Sequence, residues 1–206
     1  MNRQPFPGWD VLWKCAVCLL LFLPGRAFAQ DAVVEWEKTS LPLTEIYALA
    51  ADPYDPRILL AGSYGQGVYR SADGGISWAP FNAHLPNLHI RALVVDVEGT
   101  VYVGTYGAGV YRLVAGGRQW EPWNEGLNTP YIYALATDST GNVYAGTGGE
   151  GVFRLIWGSQ AWVAMGPEGL QVLALAICRS REQRIYAGTW GNGVFRSEDG
   201  GETWAQ

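Results

Sequence analysis

The segment Gly65-Gln-Gly-Val-Tyr-Arg70 decides the fold, because the same pattern returns three times further along the chain. The copies begin at Gly107, Gly149 and Gly191, with a constant period of 42. A glycine and a tryptophan keep the same period, at Gly62, Gly104, Gly146 and Gly188 and at Trp36, Trp78, Trp120, Trp162 and Trp204. A fixed period of this length indicates a protein built from stacked repeats. The repeat units are predicted to span about 36–78, 78–120, 120–162 and 162–204.

Each repeat contains short runs of β-branched and aromatic residues bounded by Gly, Pro, Asn and Asp, which are strand signals. In the first repeat these runs are Ile46–Ala50, Ile58–Ala61 and Gly67–Arg70, and a fourth strand carries the tryptophan. A sheet this small cannot bury its faces alone, so the repeats must pack against one another. Alanines such as Ala48 in the first strands favour radial packing around a crowded axis. The sequence therefore predicts an all-β protein, a β-propeller of four 42-residue, four-stranded blades.

The two ends of the chain bear on how such a ring would close. Val33–Trp36 resembles a fourth strand without the three strands before it, and only Ala205 and Gln206 follow Trp204. The N-terminal strand is therefore predicted to complete the last blade and to cover its open edge. The residues are compatible with a closed four-blade disk, with a two-chain ring of eight blades (a homodimer), and with a piece of a longer propeller.

Residues 1–29 are predicted to be a signal peptide. Basic residues flank a polar leader, the apolar run Cys15–Leu23 follows, and Ala27 and Ala29 supply the small residues of a cleavage site. The run is too short to cross a bilayer, which takes about 20 residues. The mature domain is predicted to comprise residues 30–206, to be secreted or periplasmic, and to have no membrane span after cleavage.

Composition narrows the classes of function. The formal net charge is −5 and the sequence pI is about 5.0, and an acidic chain lacks the basic surface that nucleic-acid binding requires. No nucleic-acid partner is therefore expected. The two histidines, His84 and His89, are too few to suggest a metal site, and no phosphate loop or Gly-x-Ser-x-Gly motif is present. We expect no metal, no cofactor and no catalytic residue.

Two stretches carry a more specific pattern. Ser71-Ala-Asp-Gly-Gly-Ile-Ser-Trp78 and Ser197-Glu-Asp-Gly-Gly-Glu-Thr-Trp204 resemble the Asp-box, or bacterial neuraminidase repeat, Ser-x-Asp-x-Gly-x-Thr-Trp. The matching residues are Ser71, Asp73, Gly75, Trp78, Ser197, Asp199, Gly201 and Trp204. The resemblance implies an exported propeller similar to those of sialidases, xyloglucanase-type glycosidases, sortilin-type receptors and photosystem II assembly factors. It is specific for fold and not for activity.

The box has a structural explanation. Short Ser and Asp side chains accept hydrogen bonds from the backbone N–H groups of a turn, and glycines permit positive φ. The tryptophan is then expected to pack between blades as an apolar wedge. The second and third repeats lack the box, since Leu113 and Ala115 replace Ser and Asp in one and Leu155 and Trp157 in the other.

A ligand-binding surface is predicted where loops between second and third strands meet the linkers between blades. The loops supply Tyr64, Tyr106 and Trp190, and the linkers add His89, Arg91, Tyr131 and Tyr133. Aromatic faces with nearby hydroxyls suit sugars or peptide side chains. The alternative is that these aromatic residues only pack against neighbouring blades. The favoured interpretation is a non-catalytic binding or scaffold module for a protein or carbohydrate ligand.

Two other functions stay open. The resemblance also allows an assembly or stability factor for a membrane complex, like the photosystem II factors. The other alternative is a degenerate or fragmentary glycoside hydrolase, which would need two carboxylates about 5–10 Å apart. Its candidates, Asp52, Asp96 and Asp138, recur just after the first strands, where Asp commonly starts a turn. The repeated arginines Arg70, Arg112, Arg154 and Arg196 lie one per blade and are not expected to converge on one ligand.

Overall fold

The computed structural model describes residues 38–42, 44–178 and 184–206. These residues form fifteen β-strands in four antiparallel sheets. The first sheet contains β1 (Ile46–Ala51), β2 (Leu59–Ser63), β3 (Gly67–Ser71) and β4 (Ala79–Pro80), and the second contains β5 (Ile90–Val95), β6 (Val101–Thr105), β7 (Val110–Leu113) and β8 (Glu121–Pro122). The third contains β9 (Ile132–Thr137), β10 (Val143–Thr147), β11 (Val152–Leu155) and β12 (Trp162–Gly166), and the fourth contains β13 (Val172–Ile177), β14 (Ile185–Thr189) and β15 (Val194–Ser197). Within the described residues, no helix is long and apolar enough to cross a membrane.

Each sheet is a meander in which every strand pairs with the next one along the chain. The register is the same in all four sheets, because Gly62 pairs with Val68 and the equivalent glycines pair with the equivalent valines at Val110, Val152 and Val194. In the second and third strands, residues separated by one repeat period therefore occupy the same site in successive sheets, as the sequence predicted.

The fourth sheet differs from the expectation of four full strands. It has three strands, and Arg196 and Ala205 exchange two backbone hydrogen bonds of 2.7 and 2.8 Å. Ala79 occupies the equivalent position beside Arg70 in the first sheet. The N-terminal strand was predicted to pair with β15. At Arg196 this pairing position is occupied by Ala205. Val33–Trp36 itself, like the predicted signal peptide, lies outside the described residues.

The sheets pack in series through their first strands. β1 contacts β5, β5 contacts β9, and β9 contacts β13. In the described part of the chain, no comparable contact joins β13 back to β1. The four sheets therefore form an open array there, and the closed four-blade disk, one of the predicted alternatives, is not seen.

An apolar layer fills each junction between neighbouring sheets. At the first junction, Leu60 and Val68 of the first sheet pack against Ile90, Leu93 and Trp120 of the second. The Trp120 indole N–H donates to the carbonyl of Phe81 in the preceding repeat at 2.8 Å. Trp162 and Trp204 make the equivalent bonds to the carbonyls of Trp123 and Met165. Each of these indoles therefore fastens its sheet to the sheet before it.

A glycine at each junction allows the next sheet to pack closely against it. A β-carbon on Gly62 would lie 2.5 Å from Cγ2 of Ile90, and one on Gly104 would lie 2.5 Å from Cγ2 of Ile132. At Gly146 the nearest atom is Cγ1 of Val172, at 2.7 Å. We call this space, into which a β-branched side chain of the next sheet packs, the glycine seat. Only glycine leaves room for it, because overpacking distorts both sheets.

Candidate functional site

The Asp-box side chains are engaged within their own turns. The Ser71 hydroxyl donates to Asp73 at 2.7 Å and accepts from the Gly75 N–H at 2.8 Å, and Asp73 accepts from the Ser77 N–H at 2.9 Å. The last repeat has the same arrangement in Ser197, Asp199, Gly201 and Thr203. These carboxylates therefore brace a turn, and their geometry does not point them at a substrate.

The second and third repeats close the same turn without these side chains. Leu113 and Leu155 are buried in the sheet junctions in place of the serines. The turns are instead held by backbone bonds, from Gly117 to the Val114 carbonyl at 2.7 Å and from Ser159 to the Ile156 carbonyl at 2.8 Å. Apolar burial thus replaces the side-chain acceptors in the interior of the array.

The two boxes should make folding stability sensitive to acid. Hydrogen bonds from the Ser77 and Thr203 side chains, and from backbone N–H groups, lower the pKa of Asp73 and Asp199 from 3.8 to about 2. Because the folded pKa lies below the unfolded one, the contribution of each group is present above about pH 4 and is lost as pH falls towards 2. The melting temperature should therefore drop across this window, and the double variant Asp73→Asn, Asp199→Asn should show a shallower drop. Equal slopes in the two melting series would contradict this role.

Six of the predicted ligand-binding residues come together on one face of the array. The Tyr64 ring packs edge-on against the His89 ring, with centroids 4.5 Å apart. Tyr106 packs against Tyr131 at 5.0 Å and Tyr133 at 5.8 Å. Backbone bridges between Tyr64 and His89 and between Tyr106 and Tyr131 fix each loop to the linker of the next sheet. The sixth residue is Arg91.

Arg91 lies between two tyrosines from the first strands on either side of its own. Its guanidinium carbon is 4.4 Å from the centroid of Tyr47 and 5.2 Å from that of Tyr133. Among the described residues no carboxylate lies within ion-pair distance of this side chain. Cation–π contacts hold the side chain in place while leaving its N–H donors to other acceptors. We call Tyr47, Tyr64, His89, Arg91, Tyr106, Tyr131 and Tyr133 together the tyrosine belt.

The belt combines packing with exposure. Tyr64 is 41% exposed and Tyr131 42% exposed, although both contact a neighbouring ring. Burial, together with the neighbouring Tyr106 hydroxyl, raises the pKa of Tyr133. Tyr133 thus stays a neutral hydroxyl, able to donate a hydrogen bond, across the physiological range. Packing against neighbouring blades, the alternative interpretation, accounts for the ring contacts of these residues. It does not account for the part of each ring that stays exposed to solvent.

The structure separates Trp190 from the other predicted residues. Trp190 occupies the same loop position as Tyr64 on the fourth sheet and is 70% exposed, with no ring contact to the belt among the described residues. Gly148 takes this position on the third sheet, where a β-carbon would lie 2.9 Å from Cβ of Tyr131 and 3.0 Å from Cε2 of Tyr133. These two tyrosines fill the space between the loops.

Sequence reasoning missed Tyr47. It is the second residue of β1, in line with Arg91 in β5 and Tyr133 in β9. The loop lengths of the repeats differ, so the fixed period pairs Tyr47 with His89 and not with Arg91. An alignment of the first strands of the repeats would have identified Tyr47, whereas the fixed period of 42 does not.

A second concave feature lies between the second and third sheets. This cavity of about 300 Å³ is lined by residues that include Asp96, Tyr102, Arg112, Trp123 and Trp157. The Arg112 guanidinium stacks on the Trp123 ring at 3.4 Å, and burial raises the pKa of Tyr102 to about 12. These residues come from strands and turns of neighbouring repeats, which is why no local motif marks them.

The carboxylates considered for glycoside hydrolysis hold turns. Asp96 accepts backbone hydrogen bonds from Glu98 and Thr100 at 2.8 and 2.9 Å, and Asp138 accepts them from Thr140 and Asn142 at 2.9 and 3.0 Å. Asp52 accepts the equivalent bond from Tyr54 at 2.8 Å. No group of three or more His, Cys, Asp or Glu side chains suited to a metal ion occurs in the part of the chain described.

The packing of four antiparallel sheets, first strand beside first strand, defines the class of this protein: its fold is that of the β-propellers. Neither a protein-family model nor a curated protein matches the sequence. Similarity to known proteins is therefore found among solved structures.

Three solved propellers illustrate the range of similar structures. The GH74 xyloglucanase from Xanthomonas campestris is 26% identical with a TM-score of 0.63, and the match covers 76% of this chain and 29% of that one. The extracellular domain of BT4673 from B. thetaiotaomicron, described as a putative one-component system, is 20% identical with a TM-score of 0.69, covering 84% and 23%. YCF48 bound to D1 peptide is 18% identical with a TM-score of 0.62, covering 86% and 59%.

Because these proteins are longer than this chain, the similarity supports conclusions about fold and not about the activity of the whole protein. The chain spans less than a third of the GH74 enzymes and of the BT4673 domain, and 59% of YCF48. One is an enzyme, one belongs to a putative one-component system, and one was solved with a peptide. The similarity establishes the fold, and function has to be argued from the belt.

Proposed function

We propose that this protein is an exported, non-catalytic Asp-box propeller module that recognises a protein segment or a glycan through the tyrosine belt. The observation that carries the proposal is Arg91, which two tyrosine rings hold in place and which has no carboxylate partner within the described residues. A charge that is held in place, partly exposed and without an ion-pair partner among the described residues, on an otherwise acidic protein, is available to an external acceptor.

The chemistry of the belt defines what it can bind. Tyrosine rings present flat apolar area and lose little conformational freedom on binding, and their hydroxyls donate and accept hydrogen bonds. The Arg91 guanidinium adds planar donors that match a carboxylate or a pair of hydroxyl oxygens. A suitable ligand therefore has one flat apolar face and one oxygen-rich group close to it, as in an acidic peptide or a sugar ring.

The similar structures support both ligand classes. YCF48 was solved with a peptide, and the GH74 enzyme is a xyloglucanase. Export rests on the predicted signal peptide over residues 1–29 and agrees with the extracellular location of the BT4673 domain. The expectation that nucleic acid is not a partner rests on the acidic composition.

Binding should depend on the belt and not on surface charge in general. On peptide and glycan arrays the wild type is expected to retain a ligand, and Arg91→Ala or Tyr64→Ala should weaken it by about 10- to 100-fold, the loss expected when a central contact of about 1–3 kcal/mol is truncated. Arg196→Ala is the matched control, because it removes the same charge from an exposed arginine on β15. Trp190→Ala tests whether the site extends to the fourth sheet.

Two results would contradict the proposal. Arrays that yield no ligand for the wild type would remove its basis. Equal affinities for Arg91→Ala and wild type, with melting curves showing both folded, would move the site elsewhere.

A second candidate is an assembly or stability factor for a membrane complex. The similarity to YCF48 favours it, since that match covers 86% of this chain and 59% of YCF48. In this case the belt would hold a segment of a membrane protein, and the tagged protein should co-purify with a membrane complex in a way that Arg91→Ala abolishes. A glycosidase would instead release the chromophore from a chromogenic glycoside, which we do not expect.

A further inference from the structure

The two ends of the sheet array present faces that are buried at every internal junction. Val68, Val110 and Val152 are completely buried against the next sheet, but the equivalent Val194 on the fourth sheet is 57% exposed. At the other end Leu49 is 53% exposed, whereas the equivalent Leu93 is 6% exposed against the first sheet. Each end therefore carries one half of a junction.

The two halves are complementary in shape. Gly188 forms the glycine seat of the fourth sheet, and a β-carbon there would meet only Ala174 of its own sheet, at 3.4 Å. The residues that fill the other seats, Ile90, Ile132 and Val172, are fully buried. Ile46 has the same place at the start of β1 but is only partly buried. An open seat is thus found at one end and an unseated isoleucine at the other.

The polar groups follow the same logic. The Gly67 and Gly109 N–H groups donate to the carbonyls of Leu88 and Pro130, which lead into the next sheet. Gly193 is the equivalent donor of the fourth sheet, and Thr44 is the residue of the first repeat equivalent to Leu88. Trp78, the wedge tryptophan of the first sheet, donates to the Gly75 carbonyl of its own turn at 3.0 Å, where the other wedge tryptophans bond to a preceding repeat.

We propose that these two faces bind a second copy of this chain, head to tail, so that two chains of four sheets close a ring of eight. A two-fold axis would form both junctions at once, the fourth sheet of each chain meeting the first sheet of its partner. Eight blades lie within the usual range of about four to eight for propellers. The occupant is a second copy because the seat, the apolar layer and the backbone donors repeat the three junctions within the chain. This inference is independent of the proposed ligand-binding function.

The test measures molecular mass by size-exclusion chromatography with light scattering across a dilution series. The wild type should have the mass of two chains. Gly188→Val fills the open seat and Leu49→Asp places a charge on the opposite face, and each variant should be monomeric with an unchanged circular-dichroism spectrum. Val163→Asp is the matched control, since this valine is 48% exposed on the outer strand β12 and should leave the dimer intact.

Mixing the two monomeric variants distinguishes head-to-tail binding from any other dimer. Gly188→Val keeps a functional first sheet, and Leu49→Asp keeps a functional fourth sheet, so an equimolar mixture should form a dimer with one junction. A monomeric wild type, a Gly188→Val variant that remains dimeric, or a mixture that shows no association even at concentrations far above the one at which the wild type is dimeric would each overturn the proposal, since one junction binds more weakly than two.

Discussion

Replacing Trp120 with alanine is expected to lower the free energy of unfolding by about 3–5 kcal/mol, the usual cost of deleting a buried aromatic side chain. Trp120 is 2% exposed and lies in the apolar layer between the first and second sheets. Its removal leaves a cavity at the junction and an unsatisfied carbonyl on Phe81, which accepts the indole N–H at 2.8 Å. Urea unfolding followed by tryptophan fluorescence and circular dichroism measures the change.

Two further variants separate the contributions of Trp120. Trp120→Phe retains most of the apolar volume but loses the donor to Phe81, so it should cost less than the alanine variant, with about 1 kcal/mol from the hydrogen bond. At a dilution where the chain is monomeric, Trp190→Ala is the control, because this side chain is 70% exposed and its loss should stay within about 0.5 kcal/mol. If Trp120→Ala and Trp190→Ala unfold at the same urea concentration, the wedge role is wrong.

Adding one methyl group at Gly104 should also destabilise the protein, by a smaller amount than Trp120→Ala. The β-carbon of Gly104→Ala would lie 2.5 Å from Cγ2 and 3.0 Å from Cβ of Ile132, a buried side chain that cannot move aside without separating the second and third sheets. We expect a loss of about 1–3 kcal/mol, typical of an overpacked core. Thermal melting at matched concentration provides the measurement.

Gly188→Ala is the matched control for Gly104→Ala. The two glycines have the same place in the repeat, but the nearest atom to the new β-carbon at Gly188 is Cβ of Ala174 at 3.4 Å. At a dilution where the chain is monomeric, this variant should lie within about 1 kcal/mol of wild type. A Gly104→Ala variant that is as stable as Gly188→Ala would show that the sheets do not approach as closely as described.

Local features of the fold were predictable because they depend on residues close in sequence. The run Ile46–Ala50 became β1 (Ile46–Ala51), and the run Gly67–Arg70 became β3 (Gly67–Ser71). Strand alternation and glycine-rich turns act over a few residues, so that a period of 42 predicts the sheets and the common register of their second and third strands. The assembly of Tyr64 and His89 into one face was accessible for the same reason, since both positions follow from the repeat.

The environment of repeat-equivalent residues could not be predicted from the period. Trp78 and Trp120 occupy the same position in successive repeats, yet one indole bonds within its own turn and the other reaches the preceding repeat. The difference depends on whether a sheet precedes the residue in the array, which the local sequence does not encode. Val152 and Val194, one buried and one exposed, differ because the third sheet has a following sheet packed against it and the fourth has none among the described residues. The cavity lined by Arg112 is formed by residues of two sheets, and no single repeat contains it.

The position of Arg91 between Tyr47 and Tyr133 could not be predicted from the sequence, because it depends on how three first strands are oriented relative to one another. Side chains of neighbouring first strands meet only after β1, β5 and β9 have packed, and unequal loop lengths shift these residues off the period. Sequence reasoning therefore identified Arg91 as a member of the belt but did not place it at the centre.

The glycine seat has a consequence for how such a chain can lengthen or shorten through gene duplication. Every internal junction combines a glycine seat with a β-branched side chain of the next sheet. Inserting or deleting one 42-residue repeat therefore leaves two complementary faces in contact at the new junction. Stability then changes by one joint and one module, as in linear repeat arrays where each unit touches only its neighbours. The number of repeats can therefore change during evolution without further substitutions in the remaining repeats, provided that the glycine and its β-branched partner are duplicated together.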